Sequence, residues 1–186
     1  MEEIKDLIIL GESWPELMRD GRFSICVAAY SKELGFIRLY PARTDSPLRA
    51  WNIVDVKVER NPTDTRLESW KFSNSKNWEN INKNIKLVGK LDKREQIKLS
   101  KTLAVDSTEK LLEQRRSLGI IKPEILGWSL TDTGIKPSYQ MTLTGKKLRS
   151  KKDFGVKPYI EYRCLPHCSS KNLINNSCLS GVSICG

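Results

Sequence analysis

Three sets of side chains in this chain of 186 residues have the types and spacing to do chemistry. The first is Asp55-Val56-Lys57, followed at once by Glu59. Metal-dependent nucleases set an acid and an acid-x-Lys on adjoining strands, so that carboxylates hold Mg²⁺ and a lysine steadies the scissile phosphate. Asp45, Asp64 and Glu68 are further carboxylates in the same region. Alternation along one strand, however, also makes Asp55, Lys57 and Glu59 an ordinary charged outer face. The second set is Cys164, His167, Cys168 and Cys178, with Cys185 beyond. Thiolate and imidazole are the right ligands for tetrahedral zinc, and the Cys164-to-Cys168 stretch has a knuckle-like gap. No second close pair follows it, and the competing reading is a tail of unligated thiols. The third set is Arg38, Tyr40, Arg43 and Arg49, a basic and aromatic combination of the kind that single-strand binders use for phosphates and base stacking. Lys146, Lys147, Arg149, Lys151 and Lys152 add a second basic run. In the competing reading Tyr40 packs and the arginines pair with Asp45 and Glu33.

The first set, with its further carboxylates, and the four residues from Arg38 to Arg49 lie in one β-rich module, residues 21–70. Residues 23–30 and 36–40 read as a hairpin, with Ile37 and Leu39 on one face and Arg38 and Tyr40 on the other. Pro41 is expected to end the second strand because it cannot donate to a ladder. Residues 51–60 alternate, which turns Val54, Val56 and Val58 inward and the charged residues outward. Asn61-Pro62-Thr63-Asp64 reads as a turn, and Asp64, Arg66 and Glu68 as an ion-pair cluster around it. Residues 5–10 form a further apolar strand, and Ser13 is placed to cap a helical turn over residues 15–19. So many strands in so short a span suggest a small barrel or curled sheet.

The middle of the chain is more helical. Trp78, Ile81, Ile85 and Val88 fit one helical face, while residues 85–88 read equally as a short strand. Asp92 with Glu95 makes a capping box for a helix to about residue 103. Asp106 with Glu109 makes a second, for a helix running through Arg116 to Gly119, with Leu111 and Leu112 in the core. Residues 125–131 and 156–162 read as returning strands, and 145–152 as a flexible basic loop. The five tryptophans are expected mostly in the core. The expected fold is therefore α+β. One domain covers residues 1–163, with a β module (1–70), a helical middle (77–117) and returning strands (120–163). A Cys-rich, poorly ordered tail covers 164–186.

The formal net charge is +10, concentrated in residues 71–116 and 145–163, which carry +6 and +5. Such a field favours polyanions, nucleic acid before anionic membrane. No apolar run is long enough to span a bilayer, and the acidic start lacks a secretory n-region. A cytoplasmic protein is expected.

Several phrases together resemble an uncharacterised prokaryotic family. They are Ile37-Arg38-Leu39-Tyr40-Pro41, the Trp51 strand, the Asp-x-Arg-x-Glu-Ser exit at 64–69, the Ser-Leu-Gly-x-x-x-Pro phrase at 117–123, and an aromatic strand running into Cys164. The resemblance implies the architecture and no known activity. Such relatives continue from a Cys/His group into a helix containing Trp-Glu. This chain becomes Ser- and Asn-rich after Cys168 instead. Codons for residues 178–186 can be chosen so that a shifted frame reads Met-Phe-Glu-Trp-Gly-Val-Tyr-Leu-Trp, so a frameshifted or truncated end is expected.

The leading functional expectation is a nucleic-acid-associated protein that uses its basic surface to hold DNA or RNA. The alternatives are a metal-dependent nuclease-like enzyme and a protein-interaction module. The cysteine and histidine residues suggest zinc as a cofactor, and the nuclease-like alternative would use Mg²⁺.

Overall fold

The computed structural model describes residues 2–13, 15–18, 20–73, 77–132, 139–141, 147–149 and 156–164. Its centre is a closed barrel. The strands are β1 (Glu2–Glu12), β3 (Phe23–Ser31), β4 (Gly35–Arg43), β5 (Asn52–Arg60) and β6 (Ser69–Phe72). They run in the order β1-β3-β4-β6-β5, and β5 pairs back onto β1. The β4–β6 contact is parallel, and the other contacts of the ring are antiparallel. A two-residue strand, β2 (Glu16–Leu17), adds to β3, and β7 (Ile85–Lys90) adds to β5.

Alternation builds the interior as expected. Val54, Val56 and Val58 are fully buried, as are Leu7, Ile9, Val27, Ile37 and Leu39. Trp70 and Phe72 fill the region beside β6, and Leu48 enters from the β4–β5 loop. So few strands close only if some bend sharply, and bulges supply the bend. In β1 the register shifts between Ile4 and Leu7 against β5, and between Ile9 and Gly11 against β3. Asp6 sits in the first bulge with φ 50, a left-handed conformation that Asp tolerates.

Three expectations about this region are corrected. Pro41 does not end β4, which runs on to Arg43. The Tyr40-Pro41 bond is cis, and the β3–β4 register shifts here, with Leu39 opposite Val27 and Ala42 opposite Ile25. At a bulge the missing proline N–H leaves no ladder bond unmade. Residues 15–19 are not a helical turn: Glu16 and Leu17 pair with Ser24 and Phe23. Ser13 is therefore no helix cap, and its Oγ accepts from the Cys26 N–H at 2.9 Å. Trp78–Asn84 is a 3-10 helix that buries Ile81, and the strand reading of residues 85–88 is the one observed.

Beyond β7 lies α1 (Lys93–Leu103), which starts where its capping box places it. The Asp92 carboxylate accepts from the Glu95 N–H, and the Glu95 carboxylate accepts from the Asp92 N–H. Because α1 buries none of its residues, the cap weighs heavily in its stability. Asp92→Ala is expected to cost the helix about 1 kcal/mol. Faster amide exchange across α1, with the barrel amides unchanged, would register this.

The next unit is β8 (Ala104–Val105), α2 (Thr108–Glu113) and β9 (Ile120–Ile121), with β8 and β9 parallel. Here too the expectation is corrected. The N-cap is Ser107, whose Oγ accepts from the Lys110 N–H, while Asp106 forms an ion pair with Lys110. The helix stops at Glu113, and Arg115 takes a left-handed φ of 53. Gly119 does not terminate it: a Cβ there would meet Leu111 Cδ2 at 2.4 Å, so the glycine permits close packing. Leu112 is 73% exposed rather than core.

A long ribbon pairs β10 (Pro123–Asp132) with β13 (Val156–Cys164), and a small hairpin pairs β11 (Tyr139–Met141) with β12 (Lys147–Arg149). Lys147 and Arg149 thus lie on a strand, not in the flexible loop expected there. Cys164 ends β13 and is buried, so it belongs to the ribbon rather than to a frayed tail. Trp128 is 76% exposed, against the expected core position. Residues 165–186, and Trp14, lie outside the described residues. Among the described residues, no helix is long and apolar enough to cross a membrane.

Candidate functional site

Of the basic and aromatic residues singled out from sequence, Arg38 and Tyr40 stand on the outer face of β3 and β4. Since Ile37 and Leu39 point inward, Phe36, Arg38 and Tyr40 point outward. Tyr30 lies opposite Phe36 in the register, and their rings meet edge to face with centroids 5.8 Å apart. Arg38 lies between Ala28 on β3 and Ser69 on β6, both small residues. Its exposure is only 5%, and its Nε has no hydrogen-bond partner. It enters none of the ion pairs formed among the described residues. A buried Nε without a partner carries a desolvation cost, which sets Arg38 apart from the other arginines.

Arg43 and Arg49 are engaged elsewhere. Arg43 holds Asp45 at 2.7 Å and Glu79 at 2.9 Å, tying β4 to the 3-10 helix. Hydrogen bonding by Arg43 holds the Asp45 carboxyl well below the usual range. Arg49 pairs with Glu12 at 2.6 Å and also donates to the Thr44 carbonyl. Neither arginine pairs with Glu33. The pairing with Asp45 anticipated from sequence does form.

At the lower end of the same face, the exit after β5 folds into a polar knot. Asp64 N–H donates to the Asn61 carbonyl at 3.2 Å, which confirms the turn. Asp64 then receives Arg66 at 2.6 Å and the Ser69 hydroxyl at 2.7 Å. The hydrogen bond from Arg66 is the main cause that holds the Asp64 carboxyl far below its ordinary value. Glu68 does not join this ion pair. It is 9% exposed, and its Oε1 accepts from the Ser117 N–H at 2.7 Å and from the Ser117 hydroxyl. Burial pushes this carboxyl up, but the Ser117 and backbone hydrogen bonds outweigh it and leave Glu68 below its ordinary value. The main chain closes the group, because the Arg38 N–H donates to the Glu68 carbonyl at 2.8 Å. Three sequence phrases distant along the chain therefore meet: the one with Arg38, the one with Glu68-Ser69, and the one beginning at Ser117.

This knot predicts an acid-sensitive barrel. The folded pKa of Asp64 is lowered, so its contribution is complete above the unfolded value of 3.8 and is lost as pH falls below about 4. Since Arg66 is 40% exposed, the contribution is held to about 1 kcal/mol. Asp64→Asn is expected to lower stability at neutral pH and to flatten its fall between pH 5 and 2. Urea midpoints across that range measure it.

The nuclease-like set is dispersed along β5. The Asp55 carboxylate accepts the Asp6 N–H at 3.1 Å, satisfying an amide in the β1 bulge. Lys57 is exposed opposite Glu3, and Glu59 pairs with Lys71 at 3.1 Å across the β5–β6 ladder. No group of three or more His, Cys, Asp or Glu among the described residues is placed to hold a metal ion. Of the zinc candidates, Cys164 is buried at the end of β13, while His167, Cys168 and Cys178 lie outside the described residues. Lys146, Lys151 and Lys152 also lie outside them.

Sequence reasoning did not single out Tyr30 or Phe36 for this face, and it missed two participants from further along the chain. Ser117 contacts Glu68 across 49 positions of chain, and Arg116 sits over the Phe36 ring at 5.7 Å. The Ser-Leu-Gly phrase was the only local signal near them. A broader basic surface lies beside the barrel, where Lys86 and Lys90 of β7 and Lys93, Arg94, Lys98 and Lys101 of α1 are all exposed.

The fold and site define a closed five-stranded β-barrel with a polar cluster at one edge of an aromatic outer face. A domain family of unknown function, DUF8758, matches residues 3–104, over half of the chain, and the chain belongs to that family. The match takes in the barrel, β7 and α1, and ends where α1 ends. No curated protein and no solved structure matched the chain.

Proposed function

We propose that this protein binds single-stranded nucleic acid across the outer face of β3 and β4, with the basic surface of β7 and α1 attracting the phosphates. The observation that carries the reading is the barrel's connectivity combined with what stands on that face. Numbered along the chain, the five barrel strands stand in the ring in the order first-second-third-fifth-fourth, with the third and fifth parallel. This is the connectivity of oligonucleotide-binding (OB) barrels, which bind oligonucleotides and oligosaccharides on the face of strands two and three, between the loops joining strands one–two and four–five. Here those strands are β3 and β4, and the loops are residues 13–22 and 61–68. The residues on that face extend the likeness of fold.

They do so in two ways. Tyr30, Phe36 and Tyr40 offer ring surface on one face, and every base has a π-face to stack on it. Arg38 lies between Phe36 and Tyr40 and lacks an anionic partner among the described residues, and a strand phosphate would supply one. The charge of +10 then favours encounter with a polyanion.

Titrating fluorescent oligo-dT and oligo-U at increasing salt tests this. The logarithm of affinity should fall linearly with the logarithm of salt, with a slope of about −0.7 per phosphate neutralised. Affinity indifferent to salt would contradict the reading and favour a protein-interaction module. The nuclease alternative makes a separate demand: cleavage that needs Mg²⁺ and is lost in Asp55→Ala.

A further inference from the structure

The proposed face is partly shut. Arg38 is 95% removed from solvent by its 5% exposure, and Ser24 and Cys26 on the same side of β3 are buried as well. Residues just after α2 reach this face. There the left-handed Arg115 turns the chain out of the helix. Arg116 then places its guanidinium 5.7 Å from the centre of the Phe36 ring, Ser117 gives both donors to Glu68, and Leu118 is buried.

We infer that residues 115–118 are a strap over the β3–β4 face, latched by Glu68, and that nucleic acid must displace it to reach Phe36 and Arg38. This rests on the nucleic-acid reading above and adds its regulation. Three observations support a strap rather than a fixed wall. Arg116 occupies Phe36 with the cation–π contact that a stacked base would replace, yet remains exposed itself. Through Glu68 the family-matched region, residues 3–104, holds a segment lying outside the match. The latch is a single carboxylate oxygen receiving two donors of one residue, so it releases in one step. Competition of this kind lowers apparent affinity by the fraction of molecules whose strap is open.

Two charge-conscious variants isolate the strap. Ser117→Ala removes one latch donor without changing charge, and it should tighten oligo-dT binding about three- to tenfold. Arg116→Gln removes a positive charge, which alone would weaken binding to a polyanion, and it should nevertheless tighten it. Amide exchange gives a readout independent of affinity: the Ser117 amide, held by Glu68, should lose protection when oligo-dT is added to the wild type. Binding that depends on Phe36 while Ser117 protection is unchanged, and that neither variant tightens, overturns the strap and leaves the binding face standing. Binding unaffected by Phe36→Ala in the wild type and in Ser117→Ala alike removes the face, and the strap with it. Thermal melting of each variant establishes that the barrel remains folded.

Discussion

Trp70→Ala is expected to cost the barrel about 3–5 kcal/mol, a large share of the stability of an ordinary domain. Trp70 is 2% exposed and sits on β6, the short strand that joins β4 in parallel to β5 in antiparallel. Its register partners are Leu39 on one side and Arg60 on the other, and the Arg60 guanidinium stacks 3.9 Å from its ring centre. Truncation would leave a cavity at the seam that closes the ring, and a rigid barrel collapses poorly into such a space. Trp70→Phe keeps much of the volume and should recover most of the loss. Urea unfolding followed by circular dichroism separates the two. A Trp70→Ala protein as stable as wild type would mean that β6 does not close the barrel.

Phe36→Ala is the second large effect. It is expected to weaken oligonucleotide binding by about 1–3 kcal/mol, tenfold to more than a hundredfold, if one base stacks on this ring. Phe36 is only half-buried and opposes Tyr30 on the outer face, so stability should change much less than affinity. That separation makes the variant informative. Lys98→Ala on α1, by contrast, should cost little affinity and should reduce the salt slope. Equal effects from the two would assign binding to diffuse charge rather than to the face.

The barrel was largely legible in the sequence because its signals are local. Val54, Val56 and Val58 alternate with charged residues, and the Asp92–Glu95 box names its own helix start. The Asn61–Asp64 turn followed from composition alone. What sequence could not supply was non-local. Pro41 breaks a strand in isolation but is tolerated where the β3–β4 register shifts. Asp55 resembles a metal ligand until the β1 bulge presents the Asp6 amide to it. Glu68 looked like part of a turn cluster, and only the tertiary fold brings Ser117 to it. Trp128 was misplaced because its strand pairs into a ribbon that leaves one side open to solvent, with Leu130 61% exposed beside it. Arg38, Tyr40, Arg43 and Arg49 stand out in the sequence by residue type alone. Their states, Arg38 buried and Arg43 paired, depended on neighbours far along the chain.

The most direct test of the account is to photo-crosslink a halogenated oligo-dU to the full chain and identify the modified peptide. Crosslinks are expected within β4, at Phe36 or Tyr40, lost in Phe36→Ala and increased in Ser117→Ala. Crosslinks confined to the basic helix α1, with β4 unmodified, would contradict it.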